Sequence, residues 1–340
     1  MLGAGGRSVT MIPLTKNDGV MRHLGNVDRG MPDTGFMLLS ILICTRNRET
    51  KLKQALQSVL ALEFPPGADY ELIVVDNGST DGTGQVCASL APLFNGRMRV
   101  VYEPKPGLGR ARSLAASIAA GEIAACIDDD IVPDRNWLKV IHREFSADPS
   151  LQGISGRVEL LNPMDLPMTI RRSMQRVEAQ AVSEMYDLFV GCNMAVRADL
   201  LGRVGSYDPD FGAGSLFLSA EDTDFWYRCW RHGAKLVYVP ELLVYHDHGR
   251  RSLEDKRKLA RAYTSGRGSF FAKHFWHDIN VMKEMYWETR LVMSGKCEWG
   301  WRQLAWLYRG FLHYWIHRVF CWVKGWGSSE AEPAVVHSDR

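Results

Sequence analysis

Apolar residues along the chain gather into short runs separated by polar turns and by stretches with helical spacing. Met37 to Cys44 is an apolar run that predicts a buried strand, closed by the polar turn Thr45-Arg46-Asn47-Arg48. Leu52, Leu56, Val59 and Leu60 then recur at helical spacing, and Pro65-Pro66-Gly67 ends the helix predicted over 52–62. A second strand over 70–75 runs into Asp76-Asn77-Gly78-Ser79-Thr80-Asp81-Gly82-Thr83, a turn and helix cap, and a helix follows over 84–93. A third strand is expected over 97–102, an Ala-rich helix over 108–120 and a fourth strand over 122–127. Apolar strands alternating with helices predict an α/β fold of Rossmann-like type, its mostly parallel sheet covered by helices on both faces. Polar clusters close the first, second and fourth strands, and the C-terminal edge of such a sheet is where ligands bind.

The second half is less regular. Strands are expected over 151–160, 189–197 and 236–245, and helices over 168–185 and 220–231, the latter opened by Ser219. From Ser252 onward the pattern is helical, basic and then strongly aromatic. The division this suggests is a partly disordered leader over 1–35, the α/β domain over 36–270, an aromatic and basic helical region over 271–327, and a polar tail over 328–340. No internal repeat or low-complexity tract interrupts it.

Composition narrows the class. The 340 residues are 46% hydrophobic and 24% charged, ordinary for a chain with a sizeable core, and the net charge of +2 provides no basic field for nucleic acid. The seven cysteines are scattered and form no CxxC pair. They read as reduced and mostly buried, which suits the cytoplasm and argues against zinc. The first 33 residues lack the apolar core of a secretory signal, and the run over 36–44 is too short to span a bilayer.

Three adjacent carboxylates, Asp128-Asp129-Asp130, close the fourth strand. They repel one another and call for a hard divalent cation such as Mg²⁺ or Mn²⁺, which prefers oxygen ligands. The bland alternative is a solvated acidic turn, and the position behind a buried strand at the ligand edge favours the metal. Asp76 can accept hydrogen bonds from a ribose or a base, while Ser79, Thr80 and Asp81 are good helix caps. Arg46 and Arg48 offer charge for a diphosphate. Lys105-Pro106-Gly107-Leu108-Gly109-Arg110-Ala111-Arg112 places glycines and two arginines ahead of a helix, a weak signal alone.

In order and spacing these segments resemble the family 2 glycosyltransferases over roughly residues 37–270, with Ser113 departing from the Asn common in relatives. Gly191-Cys192-Asn193 is similar to the family's Gly-x-Asn strand, and Gly205-Ser206-Tyr207-Asp208 with Phe211-Gly212 to the loop after it. Glu221-Asp222-Thr223-Asp224 is similar to its Glu-Asp-x-Asp helix start. The resemblance implies the GT-A fold and an inverting, metal-dependent transfer from a nucleoside diphosphate sugar, expected to be a UDP-sugar, to an acceptor hydroxyl. The acceptor is expected to be a saccharide or lipid-linked, in polysaccharide or glycolipid biosynthesis. Asp222 is carried over as the general base, with Glu221 beside it as a catalytic residue; an acidic first turn also suits a helix dipole by itself. Thr45, Arg46, Asn47, Arg48, Asp76, Asn77, Ser79, Gly107, Arg110, Arg112, Asp128 and Asp129 are expected at the donor, and Gly191 and Asn193 at the acceptor. Asp128 and Asp130 of the DXD motif, with His246, are expected at the metal; His248 is the second choice. Two other readings stay open: a non-catalytic nucleotide-sugar-binding scaffold, against which the intact Asp cluster and Glu221-Asp222 pair count, and a nucleotidyltransferase, which would need a glycine-rich early loop where this chain has Thr-Arg-Asn-Arg.

The segment over 299–326 carries six tryptophans. Read as a helix, Leu304, Leu307, Tyr308, Phe311, Leu312, Trp315, Ile316, Val319 and Trp322-Val323 form a broad apolar stripe, with Arg302, Arg309, His313, His317 and Lys324 opposite. Arg309 and Arg318 interrupt the run, so the expectation is a helix lying in the cytoplasmic face of a membrane rather than crossing it. The alternative is packing on the α/β domain or on a second subunit, which leaves an oligomer open.

Overall fold

The structure, a computed structural model, describes residues 37–325. The leader expected over 1–35, the tail expected over 328–340 and Trp326 lie outside them. The described residues fall into two compact units, divided between Tyr263 and Thr264.

In the first unit, β1 (Met37–Thr45), α1 (Glu49–Leu60), β2 (Ala68–Asp76), α2 (Thr83–Leu90), β3 (Met98–Tyr102), α3 (Leu108–Ile118) and β4 (Ile123–Asp128) alternate as the pattern predicts. They continue into β5 (Ile131–Pro133), α4 (Trp137–Ala147), β6 (Leu151–Leu160), β7 (Val177–Glu178), α5 (Glu184–Asp187), β8 (Asn193–Arg197), α6 (Ala198–Val204), α7 (Glu221–Arg231) and β9 (Lys235–His246). The sheet order is β3-β2-β1-β4-β8-β6-β9-β5, with β7 also on β9. Strands β3, β2, β1 and β4 are parallel neighbours. Beyond β4 the sheet is mixed: β8 runs antiparallel to both β4 and β6, while β6 and β9 are parallel. The inner strands are apolar on both faces because helices cover both; Ile41, Ile43, Leu72 and Val74 are fully buried.

Three expectations are corrected. The helix expected over 168–185 is absent before Glu184, where only the short α5 overlaps its end. Thr169 takes a left-handed φ of 54°, Arg171 bridges Val158, and Val177 pairs with Tyr238, so the edge of the sheet satisfies this backbone instead. The expected strand over 189–197 begins only at Asn193. Ser219 does not cap α7: the capping position is Ala220, at φ 72°, and the Ser219 hydroxyl donates to the Ala262 carbonyl at 3.1 Å. The pattern reading also omits β5, α4 and α6. In α4, Trp137, Leu138, Ile141 and Phe145 are the core-facing residues, at the spacing of a buried helix stripe.

The second unit contains the end of α8 (Leu253–His274), α9 (Ile279–Met293) and α10 (Trp301–Val323). Leu304, Leu307 and Gly310 of α10 are buried, and Gly310 meets α8 so closely that an added Cβ would lie 1.8 Å from the Ser265 carbonyl oxygen. No helix of the described residues is long and apolar enough to cross a membrane.

Candidate active site

The register brings the polar ends of four strands to one edge. Thr45 ends β1 beside Asp76 of β2, Cys44 lies beside Asp128 of β4, and His246 at the end of β9 pairs with Ile131 just past the Asp cluster. The Asp247 amide donates to the Asp130 carbonyl at 2.8 Å, tying the β9 end to the cluster.

The three aspartates have different partners. Asp128 is half-buried and accepts from Arg112 at 2.7 Å. Asp129 is buried and accepts from the Thr45 hydroxyl at 2.7 Å. Burial, with the charge of Asp130 next, pushes its carboxyl up to about 7. Asp130 is buried, with Oδ1 3.2 Å from His246 Nε2 and Oδ2 3.8 Å from Arg48. Burial would raise the Asp130 carboxyl, but the hydrogen bond and charge of His246 outweigh it and hold it below the usual range.

The His246 ring explains why this pair suits a cation. Thr169 Oγ1 lies 2.7 Å from the Met168 carbonyl and 2.9 Å from His246 Nδ1. Burial lowers the His246 imidazole, but the hydrogen bond and charge of Asp130 outweigh it and raise the ring above its usual range. A proton on Nε2 thus bridges the pair at 3.2 Å, and a divalent ion could take that proton's place. No group of three or more His, Cys, Asp or Glu among the described residues is arranged to hold a metal by itself. An ion here would take its other ligands from water and substrate phosphates, as Mg²⁺ commonly does. His248 has other work: Nε2 meets the Leu166 carbonyl at 3.1 Å and Nδ1 accepts from the Arg250 amide at 2.9 Å, so neither nitrogen is left for a metal. Thr169 was not among the expected residues; its left-handed φ is a structural signal with no counterpart in its sequence neighbourhood.

At the start of α7, Glu221 and Asp222 have opposite surroundings. Glu221 is buried and accepts from Arg112 at 2.9 Å. Burial, then the charge of Asp222, pushes its carboxyl up to about 7. Asp222 is half-buried, with Oδ2 accepting from the Gly191 amide at 2.7 Å and Oδ1 from the Thr223 amide at 2.8 Å. Of the two, Asp222 is the more solvent-accessible carboxylate. Arg112 is itself buried between Asp128 and Glu221 rather than open to a diphosphate.

The turns after β1 and β2 form one interlocked loop pair. Asn47, at φ 53°, donates its amide to Ser79 Oγ at 2.9 Å and accepts from the Thr80 amide at 2.7 Å, and Asp76 accepts from the Ser79 amide at 2.8 Å. Arg46 and Asn47 are exposed, and Arg48 and Arg110 are half-exposed. Two of the expected site residues have their side chains engaged within the fold. Asn77 is buried, and its side chain binds the Glu103 and Lys105 carbonyls and the Gly107 amide at 3.0, 2.7 and 2.8 Å, so it shapes the 103–107 loop. Gly107, at φ 142°, turns that loop into α3. Asn193 is fully buried, accepting from Trp137 Nε1 at 2.9 Å and donating to the Arg157 and Leu242 carbonyls at 3.0 and 2.7 Å. It pins β8 to α4, β6 and β9. Gly191 is buried against Arg112.

Comparison with known proteins bears on this arrangement. The family model described as glycosyl transferase family 2 matches residues 40–205, and that described as glycosyl transferase family group 2 matches residues 123–327. Among curated proteins, the glycosyltransferase AglE of Haloferax volcanii is 22% identical over 209 residues, 61% of this chain and 66% of that protein. The matched stretches span 66, 56 and 43% of the first three curated relatives' own lengths. Among solved structures, the mannosyltransferase PcManGT of Pyrobaculum calidifontis, in complex with GDP-Man and Mn²⁺, has a TM-score of 0.55 at 18% identity, covering 87% of this chain and 77% of that one. S. aureus TarS 1–349 in complex with UDP-GlcNAc has a TM-score of 0.52 at 17% identity, covering 84% and 92%. These likenesses assign the GT-A fold.

Proposed function

The chain belongs to the family 2 glycosyltransferases, and on that premise we propose that it moves a sugar from a nucleoside diphosphate sugar, a UDP-sugar in the first instance, to an acceptor hydroxyl with inversion. One observation carries the reading: a half-buried carboxylate, Asp222, and a carboxylate–imidazole pair with the chemistry of a cation site, Asp130 and His246, belong to the same sheet edge.

Asp130 and His246 would hold Mg²⁺ or Mn²⁺, with Asp128 and Asp129 completing the acidic side. When bound, the ion offsets charge developing on the departing diphosphate. Arg46, Arg48 and Arg110 supply further positive charge, and Asp76 receives the nucleoside. The paired amides of Gly191 and Thr223 aim the Asp222 carboxylate, which takes the acceptor proton as the hydroxyl attacks the anomeric carbon. Direct displacement needs no covalent enzyme intermediate. Two nucleotide-sugar complexes among proteins of this fold, one with UDP-GlcNAc and one with GDP-Man and Mn²⁺, support a donor and an ion of these classes.

A saccharide or lipid-linked acceptor, in polysaccharide or glycolipid synthesis at the cytoplasmic membrane face, fits the exposed apolar and basic residues of α10, among them Leu312, Ile316 and Arg309. The test of the reading is Asp222→Asn. Turnover is expected to fall by about 10²–10⁴-fold, the usual worth of a general base, with donor affinity retained. Loss of donor affinity with normal turnover of bound donor would make Asp222 a donor ligand instead.

A further inference from the structure

Arg112 and Gly191 form a contact that neither the donor nor the acceptor explains. The Arg112 side chain is 4% exposed. Nη2 donates to Asp128 Oδ1 at 2.7 Å and Nη1 to Glu221 Oε1 at 2.9 Å, and Cζ lies 5.8 Å from the centroid of the Tyr207 ring. Both arms of the fork are therefore held by carboxylates, one at the end of β4 and one at the start of α7. The residue after Glu221, Asp222, accepts from the Gly191 amide at 2.7 Å. Gly191 in turn lies against the guanidinium: a Cβ there would stand 2.3 Å from Nη1 and 2.8 Å from Cζ. The contacts run from Asp128 through Arg112, Glu221, Asp222 and Gly191 and close on Arg112 again.

We infer that Arg112 is a positioning residue that fixes Asp222 relative to the donor-side carboxylate Asp128, and that glycine at 191 is required to admit its guanidinium. The inference rests on Asp222 as the base. A planar fork can hold two carboxylates in one geometry, whereas a lysine ammonium is a point charge on a flexible stem and cannot fix both. Tyr207 backs the fork, and Ser113 of the same helix donates to the Tyr207 carbonyl at 2.9 Å, which ties that support to α3. The side chain at 191 is thus a matter of space for Arg112, not of contact with an acceptor.

The experiment uses the full chain with Arg112→Lys, Gly191→Ala, the double variant and Asp222→Asn. It reads kcat and KM for donor and acceptor, affinity for UDP with Mn²⁺ by calorimetry, and melting temperature. Arg112→Lys is expected to lower kcat about 10²-fold, the scale of a small misplacement of a reacting group, with UDP affinity and both KM values held. Gly191→Ala is expected to reproduce that loss, because the added methyl meets the far end of a flexible side chain and displaces it while the backbone stays in place. The double variant is expected to be no slower than either single one, since both act on the same contact. Wild-type kcat in Arg112→Lys overturns the inference, as does a collapse of UDP affinity with kcat unchanged, or a Gly191→Ala effect confined to acceptor KM. If Arg112→Lys does not fold, Gly191→Ala and its UDP affinity decide the matter. An active Asp222→Asn removes the base reading itself, whereas an inactive Asp222→Asn beside a fully active Arg112→Lys removes only this inference.

Discussion

Glu221 carries a pH signature that a single substitution can isolate. Burial and the neighbouring Asp222 raise its carboxyl from an ordinary 4.5 to about 7 in the folded chain. Between those values the native state keeps a proton that the unfolded chain has lost, so this group's contribution to stability declines as pH rises through that window. Glu221→Gln cannot ionise. The stability of the wild type relative to Glu221→Gln is therefore expected to fall by at most about 3 kcal/mol between pH 4.5 and pH 7. Guanidinium chloride titrations of both proteins at several pH values check this, and a difference independent of pH would contradict it. Asp129 titrates in both proteins and cancels. For the metal pair, Asp130→Ala is expected to abolish transfer while the fold persists, because the carboxylate opposite His246 is gone. A folded Asp130→Ala protein with near wild-type turnover would remove the metal assignment.

At the scale of elements, α8 and α10 are held by glycine. A Cβ at Gly268 would lie 1.9 Å from the Leu307 carbonyl oxygen, and Ser269 Oγ donates to the Gly310 carbonyl at 3.0 Å. The obstructing atoms are backbone, which cannot swing aside. Gly310→Ala is expected to destabilise this unit by about 1–3 kcal/mol, the usual cost of overpacking, despite the better helix propensity of alanine. Gly202 of α6 has nothing within 4 Å of an added Cβ, and Gly202→Ala is expected to be neutral or stabilising by up to about 1 kcal/mol. Thermal melts of the two variants test the contrast. The other face of α10 has a different character. The stripe expected from the pattern divides: Leu304 and Leu307 point inward, while Tyr308, Leu312, Ile316, Val319 and Val323 are exposed at spacings of three or four, and Trp301, outside that stripe, extends the exposed row. Arg302, Arg309 and His313 flank that exposed row, and the helix contains no acidic residue. An apolar row beside basic residues matches the interface of an anionic bilayer. The protein is expected to co-sediment with phosphatidylserine vesicles at low salt, and Leu312→Glu with Ile316→Glu to weaken this without loss of folding. Unchanged sedimentation of that double variant would leave the row as a contact for another protein surface.

For the molecule as a whole, legibility followed the range of the interactions. The parallel half could be read from the chain because each inner strand is an apolar run and each helix repeats locally. The segment over 161–190 could not, because its arginines and methionines favour a helix locally, whereas its backbone partners are on β6 and β9. The places of Asp76, Asp128 and His246 at strand ends follow from the sequence pattern. The pairing of Arg112 with Glu221 spans 109 residues and has no local signal. Asn193 sits in a recognisable motif, yet only the fold brings Trp137 and the Leu242 carbonyl to its amide. Product analysis tests sugar transfer at this edge most directly. Incubation with a panel of nucleotide sugars and Mn²⁺ or Mg²⁺ is expected to release nucleoside diphosphate from one donor class, dependent on the ion and lost in Asp130→Ala. Release of pyrophosphate instead, or ion-independent release that persists in Asp130→Ala, would contradict it.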